Sequence, residues 1–180
     1  MAFNFDGEFT VATSREEAFE ILSETNNFAP LLPTYKSHEL KEDGSADVKL
    51  NVGVGKVRGT GTVNLVLKEC TRPDRARYEG KGKVMGGVFN LVAGFDLEDA
   101  GPGETLVKWD GELVMFGKLV SMAGGMIKPI ANRDIARLIE AIRVAISGEE
   151  VAEKPPAMGW FRTLMKKLAD LFRGFLRKEQ

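Results

Sequence analysis

The chain has 180 residues, of which 43% are hydrophobic and 28% are charged, with 25 basic residues against 26 acidic ones. These values suit one globular domain with an appendage. The single cysteine, Cys70, excludes an internal disulfide and a multi-cysteine metal site. Because Cys70 lies in a strand pattern, we predict that it is a small buried hydrophobe.

The first eight residues contain neither a basic segment nor an apolar run of the kind found in secretory signals. We therefore expect the protein to stay in the cytoplasm. No nucleic-acid partner is expected.

The first strand and helix are marked by alternation and by capping residues. Apolar and polar residues alternate over residues 3–11, which predicts a half-buried strand. The segment Thr13–Glu17 holds two overlapping capping boxes, Thr13 with Glu16 and Ser14 with Glu17, which open a helix. Residues 26–33 contain two prolines and predict a short helical turn.

Residues 35–115 predict an antiparallel meander of strands. Asp43-Gly44 is a strong hairpin-turn signal, and further strands fit residues 75–84, 87–98 and 104–115. Strand glycines are frequent here, and they mark either a strongly curved sheet or the close approach of a ligand to the backbone. The glycines in question are Gly53, Gly55, Gly59, Gly61, Gly80, Gly82, Gly86 and Gly87.

Residues 119–146 carry an apolar stripe at helical spacing and predict the longest helix of the domain. Gly124-Gly125 and Pro129 interrupt its first half, so we predict a kink or break near Lys128. Methionines cluster at its start, and their flexible thioethers suit either an adaptable apolar pocket or the filling of a core.

The sequence offers little for catalysis, and we predict no catalytic residue and no metal ligand. His38 is the only histidine, and a surface position is favoured for it over a role as general base. Asp110 and Glu112 share one face of a predicted strand, which is equally a solvated outer face. An enzyme remains the alternative if Tyr35, His38 and Asp110 converge inside a deep pocket.

The end of the chain predicts a linker, residues 148–157, followed by a basic amphipathic helix, residues 158–180. From Met158 onward there are six basic and two acidic residues, a net charge of +4, whereas residues 1–157 have a net charge of −5. At 100° per residue the apolar side chains fall within an arc of about 160°.

Such a helix is typical of a segment that lies in a membrane interface and binds anionic lipids. Its uncharged runs are too short to cross a bilayer. Docking on a partner protein, or on the chain's own domain, remains open for the same segment. The predicted membrane-binding residues are Trp160, Phe161, Arg162, Leu164, Met165, Lys166, Lys167, Leu168, Leu171, Phe172, Arg173, Phe175, Leu176, Arg177 and Lys178.

The order of elements in residues 1–147 resembles the α+β helix-grip fold of the START and Bet v 1 superfamily (SRPBCC), in which a curved antiparallel sheet wraps around a long C-terminal helix. More narrowly, residues 3–145 resemble the CoxG-like family of carbon monoxide dehydrogenase accessory proteins. The segments that carry this resemblance are 5–9 (FDGEF), 14–19 (SREEAF), 31–33 (LLP), 52–63 (VGVGKVRGTGTV), 80–82 (GKG) and 101–105 (GPGET).

The resemblance implies a non-catalytic accessory protein that works with a molybdenum hydroxylase of the carbon monoxide dehydrogenase type at the inner face of the cell membrane. It also implies a cavity for a lipophilic ligand, which we expect to be menaquinone or another isoprenoid quinone, and no covalent cofactor. A recruitment adaptor without ligand is the alternative. Strand alternation and the cavity position in this fold predict as pocket residues Phe28, Leu31, Leu32, Val52, Val54, Phe89, Leu91, Phe95, Trp109, Leu113, Met122 and Met126.

Overall fold

The computed structural model describes residues 1–54, 57–84, 86–117, 120 and 125–147. The chain divides into two units, residues 1–148 and 149–180, and the described residues belong to the first. The predicted linker and the predicted membrane-binding residues of 158–180 lie outside the described residues, so both stay predictions.

The domain is built on one seven-stranded antiparallel sheet, as the meander pattern predicts. Its strands are β1 (Ala2–Val11), β2 (Tyr35–Leu40), β3 (Ala46–Val54), β4 (Val57–Thr71), β5 (Arg75–Val84), β6 (Gly87–Gly101) and β7 (Glu104–Phe116). Strands β2 to β7 follow one another across the sheet, and β1 pairs with β7 at the far edge. Alternation in each strand therefore assigns one set of side chains to the concave side and the other to the convex side.

Two short helices and a 3-10 turn connect β1 to β2: α1 (Arg15–Ser23), α2 (Thr25–Phe28) and the turn Ala29–Leu31. Ser14 caps α1, since its hydroxyl accepts a hydrogen bond from the backbone N–H of Glu17 at 3.3 Å. The Thr13 hydroxyl donates a hydrogen bond to the carboxylate of Glu17, a contact that neither predicted capping box contains. The predicted short helical turn is present.

The long helix, α3, runs from Ile127 to Ser147. Gly125 and Met126 form a turn before it, so the helix begins close to the predicted break at Lys128. Pro129 lies in the first turn of α3, where a missing backbone N–H removes no intrahelical hydrogen bond. No helix in the described part of the chain is long and apolar enough to span a membrane.

The main core lies where α1 and α2 cover the concave side of the sheet. Phe19 and Leu22 of α1 are almost fully buried there, and the ring of Phe28 stacks on Tyr78 with centroids 5.4 Å apart. The Tyr78 hydroxyl donates a hydrogen bond to the backbone oxygen of Leu22 at 2.9 Å. This bond satisfies two polar groups that the core would otherwise leave unpaired.

Two of the strand glycines have a simple packing reason. Gly80 lies opposite Leu91, and Gly82 lies opposite Phe89, in the β5 and β6 register. A Cβ atom on Gly80 would come within 2.7 Å of Leu91, and one on Gly82 would overlap the ring of Phe89. Glycine therefore allows the large side chains of β6 to lie across β5. At these two positions the space beside the glycine backbone is occupied by a neighbouring side chain.

The prediction that Cys70 is buried is wrong, because its side chain is exposed. Cys70 is one residue from the end of β4 and follows a bulge between Leu67 and Glu69, where the register with β5 shifts. In this register Cys70 lies opposite the buried Ala76 of β5, so its exposure follows from its place near the end of the strand and not from a change of face. In its main lines, a curved antiparallel sheet with a long C-terminal helix, the domain has the expected helix-grip architecture.

Candidate functional site

A cavity of about 220 Å³ lies between the concave side of the sheet and α3. Its walls are almost entirely apolar. The side chains and backbone around it include Phe28, Leu32, Tyr78, Leu91, Ala93, Phe95, Trp109, Gly111, Leu113, Ile135, Leu138, Ile139 and Ile142.

The helix contributes four lining residues, Ile135, Leu138, Ile139 and Ile142, which recur at spacings of three and four. Such spacing brings them to one side of α3. Ile142 is 1% exposed, whereas the other three are only half-buried. The helix thus presents an apolar stripe to a space that its side chains do not fill.

On the sheet side, residues of β1, β3, β4 and β5 line the cavity together with inward residues of β6 and β7. Leu91 pairs with Leu113 and Phe95 pairs with Trp109, but between these two pairs Ala93 lies opposite Gly111. The two smallest side chains therefore meet at the centre of the wall, with large ones on both sides. This size pattern leaves the space that becomes the cavity.

Four residues of the cavity wall have polar side chains, Tyr78, Trp109, Asp110 and Glu112, but the surface that faces the cavity is apolar. The Tyr78 hydroxyl already donates to Leu22, and burial raises the pKa of Tyr78 above its ordinary value because the phenolate would lose its solvation. The indole of Trp109 lies over Gly7 of β1, and its Nε1 is buried without a hydrogen-bond partner among the described residues. A buried donor without a partner costs about 1–3 kcal/mol. This donor lies against Gly7, whereas the surface that faces the cavity is apolar.

The structure brings six of the twelve predicted pocket residues to this cavity: Phe28, Leu32, Leu91, Phe95, Trp109 and Leu113. Four others lie elsewhere. Leu31 packs against the main core, and Phe89 packs over Gly82 and against Val84 and Met115.

Val52 and Met126 line a separate groove beside α3. The side chain of Val54 and the whole of Met122 lie outside the described residues.

Sequence reasoning missed the contribution of α3 to the cavity. Ile135, Leu138, Ile139 and Ile142 were recognised as an apolar stripe, but a stripe of this kind predicts contact with a core and a cavity equally well. The pairing of Ala93 with Gly111 was the missing signal, and it requires the register of two strands.

The residues of the enzyme alternative do not converge. The Tyr35 hydroxyl and Nδ1 of His38 are 2.8 Å apart, and Nε2 of His38 is 2.9 Å from the side-chain oxygen of Asn26. The Asp110 carboxylate accepts a hydrogen bond from Arg77 on the convex side of the sheet. Neither Tyr35 nor His38 lines the cavity. Among the residues that the structure describes, no three His, Cys, Asp or Glu side chains form a group that could hold a metal ion.

The fold matches solved structures at low sequence identity. A conserved protein from Geobacillus kaustophilus superposes with a TM-score of 0.73 at 18% identity, over 81% of this chain and 96% of that one. A START superfamily protein from Mycobacterium smegmatis gives 0.61 at 16% identity, over 82% and 99% of the two chains.

A truncated norcoclaurine synthase from Thalictrum flavum, an enzyme, gives a TM-score of 0.60 at 14% identity, over 83% and 96% of the two chains. At these identities the likeness shows the fold alone, and the fold is shared by binding proteins and enzymes.

A search of curated proteins found no match. The family model for CoxG, a component of carbon monoxide dehydrogenase, matches residues 7–147, which include every described element from α1 to α3 and the whole cavity wall named above. This match covers most of the 180 residues. The chain therefore belongs to the CoxG family.

Proposed function

We propose that this protein is a non-catalytic carrier of a lipophilic ligand, most simply a respiratory quinone, and that it brings this ligand and a carbon monoxide dehydrogenase-type molybdenum hydroxylase together at the inner face of the cell membrane. The observation that carries the proposal is the apolar cavity under α3.

A quinone combines the two features that such a cavity can recognise. Its prenyl chain and ring are apolar and gain free energy by leaving water, at about 25 cal/mol per Å² of buried surface. Its carbonyl oxygens accept hydrogen bonds, and the buried Nε1 of Trp109 is a donor without a partner in the described part of the chain. To make this hydrogen bond the indole must turn from Gly7 toward the cavity.

The volume of the cavity sets a condition on the ligand. About 220 Å³ is below the roughly 300–1,000 Å³ of most small-molecule sites, so the cavity as it stands holds a ring and little more. To carry a longer molecule α3 must move outward. Its packing allows this, since Ile142 is the one buried residue among the 21 of this helix.

The membrane part of the proposal rests on the terminal segment. Residues 158–180 carry a net charge of +4 beside an acidic remainder of −5, and their apolar residues recur at helical spacing. The partner enzyme is proposed from the family to which the chain belongs. A shortened chain that ends at Ala157 should keep its folded domain but lose binding to anionic vesicles, as measured by sedimentation, and undiminished binding would contradict this role of the tail.

The ligand part can be tested through tryptophan fluorescence. The chain has two tryptophans, Trp109 at the cavity and Trp160 in the tail, so a Trp160→Phe variant reports on Trp109 alone. A short-chain menaquinone added to this variant should quench its emission saturably. Squalene, which has no carbonyl oxygen, serves as the control for non-specific partition of an isoprenoid.

Native ligand can be sought in the same protein. Extraction of the purified full chain into organic solvent, followed by mass spectrometry, should reveal an isoprenoid quinone. An empty extract together with no saturable quenching would refute the carrier function.

The small volume of the cavity favours a second candidate, a recruitment adaptor that binds the enzyme and the membrane without any ligand. The quinone titration separates the two functions, because the adaptor needs no saturable site. Binding of the tail to vesicles is expected in both.

A further inference from the structure

A second concave surface lies outside the cavity, between the first half of α3 and the end of the β3–β4 pair. We call it the arginine groove, because Arg58, Arg133 and Arg137 line it together with Val52, Met126 and Ile130. Its volume is about 960 Å³, and no acidic residue is among its described lining residues.

The arginine groove is separate from the cavity. At 100° per residue, Met126, Ile130, Arg133 and Arg137 fall on one side of α3, roughly opposite to the side that bears the cavity residues from Ile135 to Ile142. The two surfaces share no lining residue in the described part of the chain. A function of the groove therefore need not be a function of the cavity.

Positive charge is concentrated in the groove although residues 1–157 have a net charge of −5. Three arginines line this groove. Arg133 and Arg137 share one carboxylate, that of Asp134, at 2.9 and 3.8 Å. Arg58 has no ion pair with any described residue. The groove thus keeps a net positive charge that an anion can neutralise.

Apolar side chains are exposed beside this charge. Met126 is 43% exposed, and Ile130 and Val52 are half-buried. Along α3, Met126 and Ile130 precede Arg133 by about 4–11 Å and Arg137 by about 10–17 Å, at 1.5 Å per residue. Apolar groups and guanidinium groups are therefore layered, as are the acyl chains and phosphates of a phospholipid.

We propose that the arginine groove binds the phosphate of an anionic phospholipid within a bilayer, with Met126 and Ile130 against the first carbons of its acyl chains. Guanidinium groups bind phosphate oxygens through paired, charge-assisted hydrogen bonds. The proposed function places membrane contact only in residues 158–180, and this inference adds a second contact made by the folded domain itself.

Charge argues against the other occupants. The basic terminal segment would meet arginines of its own sign, so it does not fit the groove. A free phosphate ion would use the guanidinium groups but leave the exposed Met126 without a partner. A lipid headgroup uses both kinds of side chain.

The first test compares charge-removing variants in the full chain. Arg58→Gln, Arg133→Gln and Arg137→Gln together should weaken binding to phosphatidylglycerol-containing vesicles by about fivefold for each arginine, from roughly 1 kcal/mol per residue at an anionic surface. Lys68→Gln, Arg72→Gln and Lys81→Gln remove as many charges from exposed positions outside the groove and should have a clearly smaller effect. Equal losses in the two triple variants would overturn the proposal.

A tail variant of the full chain, Lys166→Glu with Lys167→Glu, keeps the two membrane contacts distinguishable. If it binds vesicles as the unaltered chain does, the proposed role of the tail fails while that of the groove stands. If the groove variants alone are without effect, the groove proposal fails while that of the tail stands.

The second test uses the natural cysteine. Cys70 is the only cysteine, it is exposed, and it lies near the end of β4, twelve residues and about 40 Å along the strand from Arg58. An environment-sensitive fluorophore on Met126→Cys, in a Cys70→Ser background, should shift to the blue when phosphatidylglycerol vesicles are added. The same fluorophore on native Cys70 should not shift.

Inorganic phosphate distinguishes the two sources of the anion. It should produce no shift at position 126, because it brings no acyl layer. Equal shifts at both labelled positions, no shift at position 126 while the protein is bound to vesicles, or a full shift with phosphate alone would each exclude a bilayer lipid in the groove.

Discussion

The concave surface of the sheet is closely packed in one region of this domain and borders a cavity in another. Under α1 it is closely packed, with Phe19 at 1% and Leu22 at 0% exposure. Under α3 it is hollow, because Ala93 and Gly111 meet where larger residues would fill the space. The comparison shows that one part of the interior supplies stability and another leaves room for a ligand.

This division explains why a cavity is tolerated. An unfilled apolar space lowers stability, since the surrounding atoms lose contacts. The packed end offsets this loss, so substitutions there should act on unfolding, whereas substitutions at the hollow end should act on binding. Four substitutions test that separation.

The largest effect is expected from Phe19→Ala. Phe19 lies in the packed core, and truncation of a buried phenylalanine typically costs about 3–5 kcal/mol. Urea unfolding measures the loss, and Phe116→Ala is the matched control, since Phe116 is 47% exposed. A loss below about 1 kcal/mol at Phe19 would contradict the assignment of this end as the main core.

A smaller loss, of about 1–3 kcal/mol, is expected from Tyr78→Phe, because the backbone oxygen of Leu22 is left without its donor. The same variant tests a pH effect. Burial raises the pKa of Tyr78 in the folded state, so the stability linked to it is complete below the unfolded value of about 10 and is lost as the pH rises above it.

Unfolding free energies of the native chain and of Tyr78→Phe should therefore converge as the pH is raised above about 10. A difference that does not change with pH would show that Tyr78 titrates alike in the folded and unfolded states.

At the hollow end, Ala93→Phe should fill the cavity, change the unfolding free energy by less than about 1.5 kcal/mol, and abolish saturable quenching by quinone. Val92→Phe is the control, because Val92 is the preceding residue of β6 and is 38% exposed on the other side of the sheet. Quinone binding that survives in Ala93→Phe would place the ligand elsewhere.

The smallest effect is expected from Trp109→Phe, which keeps an aromatic ring but removes the indole donor. Loss of one neutral hydrogen bond should weaken quinone binding by about five- to tenfold, with little change in binding of a hydrocarbon of similar size. Calorimetry replaces fluorescence as the measurement, since the reporter is removed. An unchanged quinone affinity would show that the ligand does not use this donor.

Much of the fold was predictable from local patterns. Alternation over residues 3–11, the capping residues of Thr13–Glu17 and the turn at Asp43-Gly44 act between neighbours in the chain, and the corresponding strand, helix and hairpin are present. The exposure of Cys70 was not predictable, because a place in a strand does not say whether the end of that strand is covered, and Cys70 lies one residue from the end of β4.

The candidate site was predictable only in part, because it depends on which strands are neighbours. Trp109 and Leu113 were identified as inward residues of one strand, but their partners Phe95 and Leu91, and the small pair Ala93 and Gly111 between them, are set by the β6–β7 register. Val52 is apolar at a position of the correct phase in β3, whereas Met126 falls on the side of α3 away from the cavity, and both line the arginine groove.

By itself the sequence determined the helix-grip order of elements, the membership of the CoxG family and the contrast between an acidic body and a basic terminal segment. Periodicity and composition suffice for these features, because they depend on local spacing and on sums of charge. The tertiary structure alone decided that the sheet is packed under α1 and hollow under α3, and that Arg58 joins Arg133 and Arg137 from 75 residues away. Both depend on contacts between residues distant in the chain, which no local pattern specifies.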